Sequence, residues 1–329
     1  MDRFDQVAAE LRAAPRRWLV TGVGGFIGSH LAEALIRLGQ DVVGLDDFST
    51  GRRSNVAGMS FRLIEGDIRD PAVCAEAMVG VRHVLHQAAL GSVPRSIADP
   101  RTTHAVNVDG FVNVALAAVD AGVSGFVYAS SSSVYGDSAR LPKREGEEGR
   151  PLSPYAATKR IDEVYAAAFH QTYGLNAVGL RYFNVVGPRQ DPNGAYAAVV
   201  PRWLAALRHG DPVTIFGDGE TSRDFCPVAN VVRANLLAAV AGPDAAGRAF
   251  NVGLGAQTTL NELFALLRDG MAARGCPCGG QSPRYEPFRK GDPRHSLADV
   301  EAVTTTLGFT PAMSLADGLA AAMDESVGR

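Results

Sequence analysis

The 329-residue chain lacks the sequence features that nucleic-acid-binding, membrane and secreted proteins need. It has no basic excess, since 32 Lys and Arg stand against 35 Asp and Glu without a basic stripe, so the electrostatic footprint of nucleic-acid binding is missing. No apolar run approaches the roughly 20 residues that cross a bilayer, and residues 1–15 are too polar for a signal peptide. We therefore expect no nucleic-acid partner, no membrane partner and a cytoplasmic location.

Cysteine is equally scarce. Four cysteines do not make a disulfide framework in a chain of this length, and Cys276 and Cys278 have no second ligand pair at zinc spacing. We expect reduced thiols and no metal site. The hydrophobic content of 46% is enough to fill one large domain and a smaller annex.

The first half of the chain alternates short apolar runs with amphipathic stretches. Runs at 18–21, 42–46, 62–65, 84–86 and 125–129 read as strands, and 6–14 reads as a helix. This rhythm predicts an α/β fold with a Rossmann-type doubly wound parallel sheet. After Tyr182, Gly and Pro clusters predict a smaller mixed α/β lobe that closes over the carboxyl edge of the sheet. The predicted domains are 1–182 and 183–329, with segments such as 225–255 returning to the first.

A glycine motif follows the first predicted strand. In TGVGGFIGS, Gly22, Gly25 and Gly28 let backbone amides and a helix N-terminus approach a pyrophosphate, although glycines alone could form a helix-cap turn. The next strand ends at Asp46, where a carboxylate can accept the ribose hydroxyls. The adjacent Asp47 would repel a 2′-phosphate, so NAD is favoured over NADP.

Two further features of this half leave alternatives open. Arg52 and Arg53 could reach a 2′-phosphate or could be solvated surface residues. In GDIRD, Asp67 could hold the adenine amine with Ile68 against the ring, or could be an ordinary turn residue.

A second constellation lies after the fifth strand. A helix predicted at 154–173 places Tyr155 and Lys159 on one face, where an ammonium one turn away favours a phenolate base. A Tyr and a Lys at this spacing can also simply share an exposed helix face without any chemical role. Here the preceding strand ends in SSSSVYG, so the Ser131 hydroxyl could share a substrate proton with Tyr155.

Together these strings resemble the extended short-chain dehydrogenase/reductase family over residues 16–323: TGVGGFIGS, Asp46, GDIRD, SSSSVYG, YAATK and RYFNVVGP. Longer strings, QAALGSVPRSIADP, NGAYAAVVPRW, GDGETSRDFC and GDPRHSLAD, resemble bacterial UDP-N-acetylglucosamine 4-epimerases of polysaccharide biosynthesis. The resemblance implies NAD in the first domain and a UDP-sugar in the second.

Carried over by position, the resemblance implies the following sites. The catalytic residues are Ser131, Tyr155 and Lys159. The NAD contacts are Gly22, Gly25, Phe26, Ile27, Gly28, Asp46, Asp47, Asp67, Ile68, Gln87, Ala88, Ala89, Asn107, Tyr155, Lys159 and Tyr182. The substrate contacts are Ser92, Ser131, Ser132, Ser133, Tyr155, Asn184, Ala198, Val199, Ile215, Phe216, Arg223, Arg289, Asp292 and Ser296. Without the resemblance, Arg223 and Arg289 would read as surface charges.

Local residues separate the reactions of the family. Dehydratases carry an Asp-Glu pair after the position of Ser131, and UDP-glucuronate decarboxylases carry a Glu there, whereas this chain has Ser132 and Ser133. Galactose-restricted epimerases carry a Tyr where Ser296 stands, so Ser296, unless it is merely a loop serine, leaves room for an N-acetyl group. The expected activity is C4 epimerisation of UDP-GlcNAc and UDP-GalNAc by transient hydride transfer to NAD. UDP-glucose or UDP-uronate epimerisation, dehydration and decarboxylation are the alternatives.

Two further expectations come from the resemblance. Many galactose epimerases carry a Lys near the cofactor pyrophosphate where this chain has Gly91, so NAD is expected to be held less tightly. A homodimer is expected through helices at 100–121 and 154–173, although their apolar residues could instead face their own sheet.

Overall fold

The computed structural model describes residues 2–192, 197–288 and 293–328. The strands in chain order are β1 (Arg17–Thr21), β2 (Asp41–Asp46), β3 (Arg62–Glu65), β4 (His83–His86), β5 (Gly125–Ser131), β6 (Ala177–Tyr182), β7 (Val185–Val186), β8 (Thr214–Phe216), β9 (Ser222–Arg223), β10 (Cys226–Pro227), β11 (Arg248–Val252), β12 (Thr258–Thr259) and β13 (Arg284–Glu286). The α-helices are α1 (Arg3–Ala13), α2 (Phe26–Arg37), α3 (Pro71–Ala77), α4 (Val93–Ala98), α5 (Pro100–His104), α6 (Gly110–Asp120), α7 (Pro154–Tyr173), α8 (Val199–His209), α9 (Val228–Ala239), α10 (Leu260–Ala273), α11 (Glu301–Leu307) and α12 (Leu315–Ser326).

The central sheet has seven parallel strands in the order β11-β6-β5-β4-β1-β2-β3. From β1 the chain moves outward to β2 and β3, and then crosses to β4 on the other side. The strand order therefore reverses between β1 and β4, where doubly wound sheets open a crevice at their carboxyl ends. The predicted α/β fold class is confirmed.

Helix boundaries follow local capping chemistry. Helix α1 begins at Arg3, earlier than predicted, because Asp2 and Asp5 form a capping box in which each carboxylate accepts the other residue's amide. Helix α7 begins where predicted, because the Ser153 side chain caps the Ala156 amide and Pro154 occupies the first turn. It ends at Gly174, which has the left-handed conformation of a C-cap.

The helix predicted at 100–121 is interrupted. Helices α5 and α6 are separated by a π-helical turn at Ala105–Asp109. This turn contains Asn107, whose side chain bonds Leu90 in the loop after β4 and Thr158 on α7. A π-turn changes the direction of the side chains that follow it, which accounts for a break that sequence periodicity does not reveal.

Among the described residues, three large apolar cores hold these layers, and a small fourth cluster surrounds Phe183. One face of the sheet packs against α1, α2 and α9 through residues such as Trp18, Leu31 and Leu236. The other face packs against α3, α6 and α7. A third core, which includes Trp203 and Leu267, lies between α8, α10 and α12. Strand β11 and helix α9 belong to the first core although they follow residue 225, and the domain boundary at 182 stays a prediction.

No helix among the described residues is long and apolar enough to span a membrane.

Candidate functional site

The turn after β1 brings backbone rather than side chains to the crevice. Gly22 has φ of 67°, and a Cβ there would lie 2.7 Å from the Ala88 nitrogen. A Cβ on Gly28 would lie 2.1 Å from the Gly22 carbonyl oxygen, because α2 packs directly on the turn. Within the described chain, the N-cap residue Gly25 gives α2 no side-chain cap. The first amides of α2 and its positive dipole end can therefore receive an anion.

Asp46 is fixed at the end of β2 by this same turn. Its Oδ2 accepts a hydrogen bond from the Gly24 amide and its Oδ1 accepts one from the Phe48 amide, both at 2.8 Å. Burial raises the pKa of Asp46, and the negative charge of the neighbouring Asp47 raises it further. The hydrogen bonds from the two amides lower this pKa and so oppose the increase. Each carboxylate oxygen has a second lone pair, so Asp46 can still accept ribose hydroxyls.

The two arginines that follow Asp47 are engaged by carboxylates. Arg52 forms an ion pair with Asp191, and Arg53 forms one with Glu65. Their guanidinium groups are thus directed to acids, and this edge of the sheet favours an unphosphorylated ribose.

Asp67 and Ile68 lie beyond the end of β3. The Asp67 carboxylate accepts hydrogen bonds from Nε and Nη2 of Arg69, at 2.9 and 2.5 Å. These bonds lower the pKa of Asp67. Ile68 is buried against Gly110 of α6, where a Cβ would lie 2.5 Å from the isoleucine Cδ1. Asp67 therefore stays ionised at the rim while Ile68 forms an apolar floor.

Two adjoining clefts run along this edge. The first is lined, among the predicted cofactor residues, by Gly22, Gly25, Asp46, Asp47, Asp67, Ile68, Gln87, Ala88 and Ala89. The second shares Gly22, Gly25, Gln87 and Ala89 and adds Phe26, Ile27, Gly28, Tyr155, Lys159 and Tyr182. An extended ligand could thus lie from Asp46 across the glycine turn to Tyr155.

Buried amides and a phenol support the floor between the clefts. The Tyr182 hydroxyl lies 3.1 Å from both Gln87 Oε1 and Asn235 Oδ1, one of which accepts its single proton, and it accepts a hydrogen bond from Asn235 Nδ2 at 2.9 Å. Burial raises the pKa of Tyr182, so this phenol stays neutral. The Asn107 side chain lies behind the floor, accepting from the Leu90 amide at 2.7 Å.

Tyr155 and Lys159 lie one turn apart on α7 and both line the second cleft. Lys159 is buried, and its Nζ donates to the Ala129 carbonyl oxygen at 2.9 Å and to Asp162 Oδ2 at 3.2 Å. An ammonium has three N–H groups, so one remains for a ligand. A buried ammonium that lines the cleft can donate this N–H to a ribose hydroxyl.

The serine cluster divides differently from the prediction. The Ser131 Oγ accepts from the Ser133 amide at 3.1 Å and so caps a 3₁₀ turn at Ser132–Tyr135. Ser132 is half-buried, and the Ser133 Oγ is buried without a hydrogen-bond partner among the described residues. It is Ser130 that lines the second cleft, donating to Glu163 at 2.7 Å. Ser130 was not among the predicted residues, because a run of four serines does not indicate which of them lines a cleft, and the role of Ser131 stays a prediction.

A third cleft lies at the start of the second lobe. Five predicted substrate residues line it: Asn184, Ala198, Val199, Phe216 and Arg223. Arg202 and Trp203 of α8 also line it. Sequence reasoning missed both, although the amphipathic pattern of α8 could have indicated them. Arg223 is held by backbone carbonyls, donating to Ser222 at 2.9 Å.

The other predicted substrate residues have varied positions. Ile215 is fully buried in the core of the second lobe, so its backbone rather than its side chain could meet a base. Ser296 is half-buried and its amide donates to the Ser222 carbonyl at 3.1 Å. Ser92 caps α4, accepting from the Arg95 amide. Arg289 and Asp292 lie outside the described residues.

This arrangement fits a dinucleotide. The glycine turn admits a pyrophosphate where any Cβ would collide, Asp46 offers acceptors to one ribose, and Lys159 retains an N–H for the other.

Comparison with known proteins assigns the family. Residues 18–253 match the model of the NAD-dependent epimerase/dehydratase family. The chain is 41% identical over 312 residues to the UDP-glucose 4-epimerase of Mycolicibacterium smegmatis, an alignment covering 92% of this chain and 96% of that protein.

Two solved structures extend this likeness. The UDP-glucose 4-epimerase of Thermotoga maritima with UDP-glucose is 37% identical with a TM-score of 0.87, covering 94% of this chain and 97% of that one. The UDP-N-acetylglucosamine 4-epimerase of Methanobrevibacter ruminantium in complex with UDP-N-acetylmuramic acid is 36% identical with a TM-score of 0.89, covering 95% and 98%. The predicted NAD cofactor and the resemblance to extended short-chain dehydrogenases are confirmed, and the chain belongs to the NAD-dependent epimerase/dehydratase family.

Proposed function

We propose that this chain catalyses reversible C4 epimerisation of UDP-N-acetylhexosamines, UDP-GlcNAc to UDP-GalNAc, through a 4-keto sugar. The observation that carries the proposal is the Tyr155 and Lys159 pair in the second cleft, which continues from the glycine turn. Bound NAD would supply the hydride acceptor and donor at C4. The protein then needs to move one proton and to let the sugar turn.

Tyr155 is the proton acceptor in this scheme. Its phenolate takes the proton of the sugar 4-hydroxyl as the C4 hydrogen leaves as hydride, and it returns the proton when the opposite face of C4 is reduced. A phenol in water ionises near pH ~10, so such a base needs a neighbouring positive charge at neutral pH. Lys159, one turn away, supplies that charge, and Ser131 shares the moving proton.

The UDP moiety is the handle about which the sugar turns. Arg223 and Asn184 would hold the diphosphate, because a guanidinium presents paired donors to phosphate oxygens. Phe216, Ala198 and Val199 supply apolar contact in the same cleft. Binding energy from this remote part retains the keto sugar during rotation.

The residues after Ser131 favour epimerisation over elimination. Dehydration needs an acid and a base beside the keto sugar, and Ser132 and Ser133 offer no carboxylate at those positions. A simple inversion at C4 requires neither.

Ser296 supports an N-acetylated substrate, since a small side chain leaves space beside the sugar. UDP-glucose and UDP-galactose are the second candidate pair, which the M. smegmatis and T. maritima relatives favour by their own names. UDP-uronates would be a third, weaker pair.

The test is product analysis by NMR after incubating the purified protein separately with UDP-GlcNAc, UDP-glucose and UDP-glucuronate. We expect UDP-GalNAc to form fastest. Tyr155→Phe should lower the rate about 10³-fold, within the range of general acid–base effects, while NAD and UDP still bind. A 4-keto-6-deoxy or decarboxylated product would contradict the proposal.

A homodimer and a cytoplasmic location belong to the same proposal. The helices expected at the dimer interface expose apolar side chains at Leu116 of α6 and at Val164 and Tyr165 of α7, with Ile97 of α4 nearby in sequence. Sedimentation of the purified protein measures the oligomer, and a monomer at micromolar concentration would remove the dimer from the proposal.

Retention of NAD is expected to be partial, because Gly91 in the second cleft carries no charge toward the pyrophosphate. The absorbance of cofactor released on denaturation measures this retention.

A further inference from the structure

Helix α7 carries two neighbouring buried carboxylates with unequal partners. The Glu163 side chain is 6% exposed and accepts from Nε and Nη2 of Arg181 at 2.8 and 2.9 Å, from Arg160 at 2.8 Å and from Ser130 at 2.7 Å. Two guanidinium groups thus contact Glu163, and Glu148 pairs with both of them as well.

Asp162 has far less compensation. Its side chain is 1% exposed, and its Oδ2 accepts from Lys159 Nζ at 3.2 Å. Its Oδ1 is buried and has no hydrogen-bond partner among the described residues. Burying a carboxylate with only one cationic partner lowers the stability of the fold. Its presence at this position therefore suggests a functional role.

Lys159 is the group that Asp162 holds. Two of the three Nζ hydrogens are directed to Asp162 and to the Ala129 carbonyl, which leaves the third for the cleft. Tyr155, Lys159 and Asp162 lie four and three residues apart and therefore share one face of α7.

We propose that Asp162 is a positioning residue that anchors the Lys159 ammonium at the floor of the second cleft and, by its charge, weakens the support that this ammonium gives to the Tyr155 phenolate. The inference rests on the roles given to Tyr155 and Lys159 in the proposed function.

The surroundings make Asp162 the carboxylate able to exchange a proton. The charged and titratable groups that face this part of α7 are Lys159, Arg160 and Glu163 on the helix, His86 on β4, Tyr128 on β5, Arg181 on β6, and Glu148, which pairs with Arg181. Burial raises the pKa of Asp162 to about 7, against the opposing effect of Lys159. Burial lowers the pKa of His86 to about 3, and Lys159 adds to this.

The directions of these pKa shifts determine whether Asp162 favours or disfavours the Tyr155 phenolate. His86 is neutral at physiological pH, and both arginines are engaged by glutamates. Below pH 7 Asp162 takes up a proton and leaves the ammonium uncompensated, which favours the phenolate. Protonation of Asp162 therefore counteracts the loss of the Tyr155 phenolate as the pH falls. A permanently neutral residue at position 162 should let the Lys159 ammonium stabilise the phenolate fully at all pH values.

The experiment is a spectrophotometric titration of tyrosinate in the NAD-loaded protein, with the Tyr155→Phe counterpart of each protein subtracted. Asp162→Asn keeps the shape and an acceptor for Lys159 but removes the charge. We expect it to move the Tyr155 midpoint down by about one pH unit, and the acidic limb of kcat/KM to move with it. Asp162→Ser should give the same direction, in case the amide is not accommodated.

The matched control is Arg160→Gln. It breaks an ion pair of the same spacing on the same helix, with Glu163, without touching Lys159, and should leave the midpoint unchanged. An unmoved midpoint in both Asp162 variants, or an equal shift in Arg160→Gln, would overturn the inference. A shifted Tyr155 midpoint without turnover of any UDP-sugar would support the inference about Asp162 and refute the proposed function. Turnover of a UDP-sugar with an unmoved midpoint would support the proposed function and refute the inference.

Discussion

The two clefts proposed for the cofactor and the cleft proposed for the substrate are built on different principles. The cofactor side consists of backbone from adjacent elements, with Gly22 and Gly28 packed so closely that a Cβ at either would overlap main-chain atoms. The substrate side is assembled from side chains of distant segments, including Asn184, Phe216 and Arg223. Specificity on the second side can therefore change by single substitutions, whereas the first side tolerates few.

The largest expected effect is on the glycine turn. Gly28→Ala would place its Cβ 2.1 Å from a carbonyl oxygen, so we expect displacement of α2, at least 100-fold weaker NAD binding and several kcal/mol of lost stability. Calorimetric titration with NAD and thermal unfolding measure these. Gly242→Ala is the control, since a Cβ at Gly242 meets nothing within 4 Å and Gly242 lines neither of the two cofactor clefts. Equal NAD affinity in the two variants would show that the close approach at Gly28 is not needed.

Next in size is the loss of a guanidinium from the substrate cleft. Arg223→Gln should weaken UDP binding about 10- to 100-fold, as expected for one charge-assisted hydrogen bond, without changing NAD affinity. Arg294→Gln is the matched control, because Arg294 is exposed and pairs with Asp218. If NAD and UDP affinity fell together in Arg223→Gln, the two sides would not be independent.

A smaller, selective effect is expected at Ser296. Ser296→Tyr should fill the space beside the sugar and lower turnover of UDP-GlcNAc about 10-fold relative to UDP-glucose, which corresponds to about 1.4 kcal/mol of discrimination. Ser296→Ala should retain both activities. Competition assays with both substrates measure the ratio, and equal loss on the two sugars would contradict the assigned position.

A further effect, on acid stability and not on binding or turnover, concerns the two buried histidines of β4, the strand that leads to the clefts proposed for the cofactor. Burial lowers the pKa of His86 to about 3 and that of His83 to about 4, so both are neutral when folded. The unfolded chain binds these protons below about pH 6.5, and stability should therefore fall between pH 6.5 and 4. His86→Gln should reduce the loss between pH 7 and pH 5 by about 2 kcal/mol.

Thermal unfolding at the two pH values measures this difference. His209, exposed at the end of α8 in the second lobe, provides the control, and His209→Gln should leave the pH 7 to pH 5 difference as in the parent. An unchanged difference in His86→Gln would mean that its protonation is not coupled to unfolding.

Local motifs explain why the fold and the elements that carry the proposed cofactor residues were predictable. The parallel sheet, Asp46 and the Tyr155 helix follow from strand periodicity, glycine spacing and the Ser153-Pro154 cap, each within a short window of sequence. The interruption of the predicted helix at Ala105–Asp109 was not predictable, because Asn107 bonds to Leu90 and Thr158, which are distant in sequence.

By itself, the sequence determined the family, the glycine turn proposed to bind NAD and the residues of the proposed catalytic pair, because backbone geometry and helix spacing are encoded locally. Only the tertiary structure decided which polar groups are buried and with what partners. It directed the Ser130 hydroxyl to Glu163, placed Ile215 in a core, and left Asp162 with one lysine while Glu163 shares two arginines with Glu148. Burial and charge compensation depend on segments brought together by folding, and no local pattern contains that information.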